Sequence, residues 1–326
     1  MTLDLTVAIP SHNDNGHLTR LLSHLAALKF TRSIIVVDDG SLPAPDHDTL
    51  IKASGLAPAQ LILLRQPQVA GAGAARNRAL LHTTTKHLLF MDADDLPTRE
   101  LRALCRSLAQ AGEFDFCMFQ HHDSRMGQSG QWGQMAFDQS LWDKTELNHR
   151  NLSKVSTTDA ACLAQTANYP WNKIYRTDFL HAHRLRCSDT LVHNDIALHW
   201  KSFLRAGRIL SSARIGVTHF VTPGGNRLTN RLGAERLRVF EPLEEIALEI
   251  SVENTPKSPY ALAFFGFALG LLCWVNESLD PSLRSELAQR STAFFNRYLS
   301  RSMRTQLKQQ RPDDWQRAAK LFQLTV

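Results

Sequence analysis

The segment His87-Leu88-Leu89-Phe90-Met91-Asp92-Ala93-Asp94-Asp95 joins an apolar run of strand length to three carboxylates within four positions. Carboxylates crowded in this way repel one another unless a cation lies among them, and Mg²⁺ or Mn²⁺ is the hard, oxygen-preferring ion that suits such a cluster. A structural interpretation stays open beside this one. Asp95 is followed by Leu96-Pro97-Thr98, so its carboxylate could instead cap the next helix.

Two upstream apolar runs are likewise followed by a cluster of polar residues. Residues 5–9 precede Pro10-Ser11-His12-Asn13, and residues 34–37 precede Asp38-Asp39-Gly40-Ser41. In an open α/β sheet, ligands bind in the crevice beyond the carboxyl ends of the strands. The sequence therefore predicts a ligand site in which three polar clusters meet at one edge of a sheet.

Strand and helix patterns alternate along the first 120 residues, which predicts a doubly wound α/β fold whose mainly parallel sheet is covered by helices on both faces. The predicted strands lie near residues 5–9, 33–37, 61–64, 87–91 and 114–119, and the predicted helices near 16–28, 46–54, 73–82 and 98–111. The polar run from His121-His122-Asp123 to Gly130 predicts a loop, and it lacks the partner cluster that a metal site would need. Helices are predicted to dominate from Asn172 onward.

Four pieces of the chain stand in a characteristic order and spacing: Val7-Ala8-Ile9-Pro10-Ser11-His12-Asn13, Val36-Val37-Asp38-Asp39-Gly40-Ser41, Gly73-Ala74-Ala75-Arg76-Asn77-Arg78-Ala79 and Phe90-Met91-Asp92-Ala93-Asp94-Asp95. In this they resemble the family 2 glycosyltransferases of the GT-A fold. A fifth piece, Trp171-Asn172-Lys173-Ile174-Tyr175-Arg176 running on to His193-Asn194-Asp195, resembles the acceptor half of bacterial surface-polysaccharide members. The resemblance covers roughly residues 5–230.

The resemblance implies a nucleotide-sugar-binding half over residues 1–120, an acceptor-binding and catalytic-base half over 121–230, and leaves a helical C-terminal extension over 231–326. It implies transfer of a sugar from a nucleotide sugar, here a UDP-sugar, to a hydroxyl of a glycan or lipid-linked acceptor. The transfer would proceed with inversion and depend on Mn²⁺ or Mg²⁺. The cation and basic groups would stabilise the charge that grows on the leaving nucleoside diphosphate.

The implied donor contacts follow residue by residue. Asp92 matches the ribose and metal-shell contact, and Asp94 matches the metal ligand. Asp39 matches the carboxylate that recognises the nucleobase, with Asp38 beside it, and Arg76 matches the arginine that faces the nucleotide. The other implied nucleotide-sugar contacts are Pro10, His12, Asn13 and Ala93. His12 stands where many relatives have Tyr, so stacking on the base and an ordinary loop histidine are both open.

On the acceptor side, Asp195 matches the general base that takes the proton from the attacking hydroxyl. Relatives carry Glu before this Asp, whereas this chain carries Asn194, which puts the support of the base in doubt. His219 matches a late metal-binding histidine of some GT-A enzymes, and a hydrogen-bonded core histidine fits equally well. The implied acceptor region is Trp171, Asn172, Lys173 and Asn194.

Two other functions stay open. A nucleotidyltransferase would also use acidic metal ligands, but it should carry a Gly-rich basic loop after the first strand, where this chain has Pro10-Ser11-His12-Asn13-Asp14-Asn15. A non-catalytic nucleotide- or glycan-binding module would not need Asp195. The glycines at 71 and 73 do not form a dinucleotide-binding fingerprint, because Arg76 occupies the place of its third glycine.

Composition indicates an ordinary globular protein, with 43% hydrophobic and 21% charged residues. The five cysteines are scattered and odd in number, which predicts free thiols and a cytoplasmic location, and the N-terminal segment does not resemble a signal peptide. Residues 284–320 hold nine basic and three acidic residues, an excess equal to the +6 of the whole chain. This tail predicts either solvated helix faces or peripheral contact with an anionic membrane at the inner face of the plasma membrane.

The apolar residues 261–275 are fewer than a membrane span needs, which favours a buried core helix over an interfacial or subunit-contact helix. A homo-oligomer through this helix stays open. The basic residues are not interleaved with a nucleic-acid-binding motif, so no specific nucleic-acid partner is predicted.

Overall fold

The computed structural model describes residues 2–127, 130–221, 232–252 and 259–325. Its strands are β1 (Leu5–Ser11), β2 (Ser33–Asp38), β3 (Leu61–Arg65), β4 (His87–Phe90), β5 (Leu96–Pro97), β6 (Phe116–Asp123), β7 (Ser153–Lys154), β8 (Lys173–Arg176) and β9 (Ile209–His219). The helices of the first half are α1 (Asn15–Leu28), α2 (His47–Ser54), α3 (Ala72–Leu81), α4 (Arg99–Leu108), α5 (Ser124–Gly127), α6 (Ala136–Asp143) and α7 (Thr157–Leu163).

The remaining helices are α8 (Thr177–Ala182), α9 (Ile196–Arg205), α10 (Phe240–Val252), α11 (Pro259–Ser278), α12 (Arg284–Tyr298), α13 (Arg301–Gln310) and α14 (Pro312–Phe322). Short 3-10 turns cover Pro58–Gln60, Pro170–Asn172, Ala234–Val239 and Pro281–Leu283. Every predicted strand and helix of the first 120 residues is present, with ends displaced by a few residues.

In the described part of the chain the strands form one sheet in the order β3-β2-β1-β4-β8-β6-β9-β5, with β7 beside β9. β1 pairs in parallel with β2 and β4, and β2 with β3. β8 is antiparallel to both β4 and β6, and β6 is parallel to β9, so β3, β2, β1, β4, β6 and β9 share one direction. The carboxyl ends of six strands therefore meet at one edge.

Helices cover both faces of the sheet, as the α/β pattern predicts. α1 buries Leu18, Leu21, Leu22 and Leu25, a helical spacing that packs one stripe onto the sheet. This face forms one apolar cluster with α4 and β1. The other face forms a second cluster, which takes in α3, α9 and side chains of α10 through α14. The C-terminal helices thus share a core with the sheet.

Two expectations need correction. His121, His122 and Asp123 were predicted to lie in a loop, but they end β6 and are buried, and the polar groups of His122 and Asp123 find partners within the fold. The Asp123 carboxylate, for example, accepts hydrogen bonds from Arg125 Nε (2.8 Å) and Nη2 (2.6 Å). The apolar segment 261–275 was judged too short to span a membrane, whereas the helix containing it has 20 residues.

Among the described residues, α11 is the one helix long and apolar enough to cross a membrane by length and composition. Half of its most apolar window is buried inside the protein. Its buried side chains include Phe264, Phe265 and Leu272, which belong to the second apolar cluster. This burial is what a core helix requires. All five cysteines are free, as predicted.

Candidate active site

The polar strand ends predicted from the sequence do meet at one edge of the sheet. Ser11 of β1 pairs with Asp38 of β2. Asp92 lies two residues after the end of β4, and Asp123 of β6 pairs with His219 of β9. Parallel strands place these ends side by side, so the edge carries a row of carboxylate, hydroxyl and imidazole groups.

The three carboxylates after β4 lie in a tight turn, closed by a hydrogen bond from the Asp95 amide to the Asp92 carbonyl (3.1 Å). Asp92 and Asp94 are partly exposed, whereas Ala93 and Asp95 are buried. Arg20 Nη2 of α1 donates to the Asp94 carbonyl at 2.7 Å and fixes the turn from outside. The turn therefore offers two carboxylates to the cleft and directs the third inward.

Asp95 pairs with His219. The imidazole Nδ1 lies 2.9 and 3.0 Å from the two carboxylate oxygens, and the Phe220 amide donates to the same carboxylate at 3.0 Å. Burial disfavours a charged imidazole, but the Asp95 hydrogen bond outweighs it and raises the pKa of His219. Burial also raises the pKa of Asp95 to about 6 against the pull of His219. We assign a proton to Nδ1, because the carboxylate accepts it together with the Phe220 N–H.

This pairing corrects the alternative in which Asp95 caps the following helix. The cap of α4 is Thr98, whose hydroxyl accepts a hydrogen bond from the Glu100 amide. The pairing also orients the ring of His219, which stacks on Trp171 with ring centroids 5.0 Å apart. A histidine whose Nδ1 donates to a carboxylate has its Nε2 set for a ligand.

Arg76 joins the donor side of the site to the loop of the proposed base. Its Nη2 donates to Asp92 Oδ1 at 2.6 Å, and its Nη1 donates to Asn194 Oδ1 at 3.0 Å. The side chain is 7% exposed, and Nε has no hydrogen-bond partner among the described residues. Burial opposes the charge of the guanidinium, but Asp92 outweighs this effect and raises the pKa of Arg76. Asn194, where relatives carry Glu, thus still supports the site as an amide acceptor.

The helix that carries Arg76 packs closely on the same loop. A Cβ on Gly73 would lie 2.8 Å from the Asn194 Cβ and 2.9 Å from the Ser188 carbonyl oxygen, distances that no side chain tolerates. Asn77 exchanges two hydrogen bonds with the backbone of Cys187, at 2.8 and 2.9 Å. Gly73 is therefore needed for the close packing of α3 on this loop.

Asp195 lies at the N-cap position of α9, and its carbonyl accepts the His199 amide at 2.9 Å. The residue keeps some exposure, but protein encloses its carboxylate. Burial raises the pKa of Asp195 to about 6, although the charge of Arg76 opposes the shift. A carboxylate with this pKa is well suited to accept a proton near neutral pH.

The predicted acceptor residues Trp171, Asn172 and Lys173 are buried, each at most 1% exposed. Lys173 Nζ donates to the Tyr169 carbonyl (2.8 Å) and to Asn172 Oδ1 (2.7 Å). Burial lowers the pKa of Lys173 to about 7, against the opposing charges of Asp195 and Asp138. In this structure the three residues lie beneath the site, and only Asn194 reaches the group of residues around Arg76.

On the nucleobase side, Asp39 holds the loop that leads into α3. Its carboxylate accepts hydrogen bonds from Gln66 Nε2 (2.6 Å) and from the amides of Ala70 (2.7 Å) and Gly71 (2.8 Å). Oδ1 accepts two of these bonds and Oδ2 one. One lone pair on Oδ2 is thus left for a further N–H.

The first strand supplies the rest of this side. His12 Nδ1 lies 2.7 Å from the Asp39 carbonyl, and the Asn13 side chain accepts from the Leu42 amide at 2.8 Å. Asp38 is buried and accepts from the Ser41 amide at 3.2 Å. Pro10, beside them in β1, is partly exposed. The predicted donor residues at the ends of β1 and β2 and in the turn after β4 are therefore neighbours at one sheet edge.

No group of three or more His, Cys, Asp or Glu side chains in the described ranges is arranged as a ready metal site. Mg²⁺ and similar cations in nucleotide sites are commonly held by one or two carboxylates together with substrate phosphates. The oxygen donors Asp92 and Asp94, with the carboxylate-oriented His219 nearby, are the donor set such an ion prefers. The residues present therefore fit a divalent cation bound jointly with a diphosphate.

The fold and the site define a GT-A glycosyltransferase. Residues 6–169 match the profile of Glycosyl transferase family 2, which is half of the chain. The chain belongs to this family. Over 96 residues it is 36% identical to a Pre-mycofactocin glycosyltransferase from Mycobacterium tuberculosis, a match that spans 29% of this chain and 19% of that relative.

Two solved structures share the fold. The chain covers 91% of S. aureus TarS 1-349 in complex with UDP-GlcNAc, and 99% of this chain is matched, with a TM-score of 0.75 and 17% identity. The mannosyltransferase PcManGT from Pyrobaculum calidifontis, in complex with GDP-Man and Mn²⁺, matches 99% of this chain and 88% of its own with a TM-score of 0.52 and 16% identity. At these identities the likeness establishes the fold, including the C-terminal helices.

Proposed function

We propose that this glycosyltransferase is metal-dependent and inverting, and that it moves a sugar from a UDP-sugar to a hydroxyl of a glycan or lipid-linked acceptor. The observation that carries the proposal is the bridge made by Arg76, which joins Asp92 on the donor side to Asn194, the neighbour of Asp195. One buried guanidinium thereby holds the two halves of a transfer site in fixed relation.

In the proposed reaction, the acceptor oxygen attacks the anomeric carbon from the face opposite the diphosphate. The new C–O bond forms as the bond from the anomeric carbon to the phosphate oxygen breaks, and the acceptor proton passes to the Asp195 carboxylate. A divalent cation held by Asp92 and Asp94 would neutralise charge on the departing diphosphate. Asp39 and His12 would hold the nucleobase of the donor, and Arg76 would keep the Asp92 carboxylate in place.

UDP is the favoured nucleotide because the Oδ2 atom of Asp39 can accept the ring N–H of uracil. Among the structural relatives, TarS binds UDP-GlcNAc and PcManGT binds GDP-Man, so the fold alone does not determine which nucleobase is bound. The proposal extends to a surface polysaccharide or lipid-linked glycan as acceptor and to a cytoplasmic location, both of which rest on the sequence.

The proposal includes membrane contact through the basic tail, but some basic side chains of the tail bind within the protein instead. Arg304 donates to the carbonyls of Phe295 and Thr325, and Arg311 donates to Gln165 and pairs with Asp314. These basic groups are used within the helical region. Contact with anionic lipid would therefore use the other basic residues. A homo-oligomer would use the exposed faces of α10 and α11.

A nucleotide panel tests the donor assignment. We expect UDP with Mn²⁺ to raise the melting temperature of the protein more than GDP, ADP or UTP does, because a ligand that binds only the folded state stabilises it. Omitting Mn²⁺ should remove most of the shift. A larger shift with GDP would contradict the assignment of uracil, and a larger shift with UTP would favour a nucleotidyltransferase.

A further inference from the structure

Aromatic side chains of the C-terminal helix α11 contact α9 and the loop before it, which carries Asp195. Trp200 of α9 packs against Phe264 and Phe267 of α11, with ring centroids 5.1 and 5.2 Å apart. Further along α11, Trp274 meets His193, which precedes α9, with centroids 6.2 Å apart. Because His193 precedes Asp195 by two residues, Trp274 contacts the loop that carries the proposed base.

Trp274 is unusual among the residues of α11. It is 43% exposed, although most of the neighbouring side chains are buried. The guanidinium of Arg236, itself 1% exposed, lies over the indole at 4.8 Å, and the ring of His193 meets it edge-on at 86°. The indole is thus held by Arg236 and His193, and part of its surface remains open to solvent.

A fixed, half-exposed indole that contacts the loop of the proposed base suits a sugar ring. A pyranose has an apolar C–H face that packs on an aromatic plane, and hydroxyl groups at its rim that stay hydrated or bond to polar neighbours. Tryptophan offers a flat, rigid surface with little conformational freedom to lose. A single indole backed by a charged guanidinium lacks the contiguous apolar area of a protein-docking patch.

We propose that Trp274 forms a platform for a pyranose ring of the acceptor, next to the site of attack. The platform joins the C-terminal helices to the reaction, since α11 supplies the indole and the loop before α9 supplies both His193 and the base. The inference rests on the proposed function, because it assigns the acceptor side of the same site.

Saturation-transfer NMR with cellotetraose and maltotetraose tests the platform directly. With the wild-type protein and UDP present, we expect saturation of the pyranose C–H protons of at least one probe. Trp274→Leu should reduce it by about five- to tenfold, the value of one aromatic contact. Trp274→Phe should keep most of the effect, because it keeps an aromatic face. Leu248→Ala, at a residue 52% exposed on α10, is the matched control and should change nothing.

The results that would overturn the platform differ from those that would overturn the donor function. Absence of saturation with both probes, or equal saturation in wild type and Trp274→Leu, would overturn the platform. Thermal melting of each variant shows whether it is folded, and the Phe variant retains the packing of an aromatic ring if Leu destabilises the helix. UDP binding in the same samples reports on the donor site alone, so a failure of the proposed donor function appears there and is distinct from a failure of the platform.

Discussion

Replacing Asp195 by Asn is expected to lower sugar transfer by at least about 10²-fold, the lower range for loss of a general base. The amide is nearly isosteric with the carboxylate but cannot accept the proton of the acceptor hydroxyl. Donor affinity should change little, because Asp195 acts on the acceptor. Steady-state kinetics with varied donor and acceptor measure both effects. Asp189→Asn, at an exposed carboxylate on the same loop, is the matched control and should retain activity.

The pH profile belongs to the same prediction. Because burial raises the pKa of Asp195 to about 6, the ionised base is lost as the pH falls through 6. The rate of transfer should then fall about tenfold per pH unit below that value. An unshifted aspartate would keep its activity down to about pH 4. Near-normal turnover of Asp195→Asn, or a variant with the same acidic limb as wild type, would remove Asp195 from the role of base.

Replacing Asp94 by Ala is expected to abolish the dependence of UDP binding on Mn²⁺ and to weaken binding in its presence by on the order of 10²-fold. Asp94 is partly exposed in the turn after β4. The turn itself should survive, since the Asp95 amide and the Arg20 contact to the Asp94 carbonyl do not use its carboxylate.

Isothermal calorimetry of UDP with and without Mn²⁺ measures the effect. Asp48→Ala is the control, because that carboxylate is 99% exposed on α2 and remote from the strand ends. Unchanged UDP affinity and unchanged metal dependence in Asp94→Ala would show that this carboxylate does not hold the cation.

The local pattern of the sequence was sufficient for the strands and for the edge at which they meet. Apolar runs of strand length end in polar clusters, and parallel pairing of β1, β2 and β4 places those clusters together. The family resemblance drawn from the same motifs is confirmed by the profile match over residues 6–169. Short-range periodicity and motif order thus reach as far as the fold and the class of enzyme.

Contacts between residues far apart in the sequence could not be predicted from that local pattern. The Asp95–His219 pair joins residues 124 apart, and Arg76 reaches Asn194 across 118 positions. The polarity of His121-His122-Asp123 predicted a loop because the contacts that accommodate these groups in a strand, such as the Gly133 amide that donates to His122 Nδ1, are not part of the local pattern. Arg20 and Gly73 were missed for the same reason. Glycine at 73 stood in a recognised motif, but its close approach to Ser188 is a property of tertiary packing.

The C-terminal region shows the same limit. The sequence identified an apolar helix and a basic tail but could not choose between core, membrane and interface. Burial of Phe264 and Leu272 in a core shared with the sheet, and the internal hydrogen bonds of Arg304, assign much of the region to packing. The contact of Trp274 with His193 joins α11 to the loop before α9, and periodicity alone does not encode such a contact.

Product release gives the most direct test of the central claim that the site transfers a sugar from a UDP-sugar. The protein is incubated with Mn²⁺ and UDP-GlcNAc, UDP-glucose or UDP-galactose, and in parallel with UTP and glucose 1-phosphate, and UDP and pyrophosphate are quantified by chromatography. The account predicts release of UDP from at least one UDP-sugar, lost when Mn²⁺ is chelated, and no pyrophosphate. Release of pyrophosphate without UDP would contradict it and make the protein a nucleotidyltransferase, and absence of both products would contradict turnover of these donors.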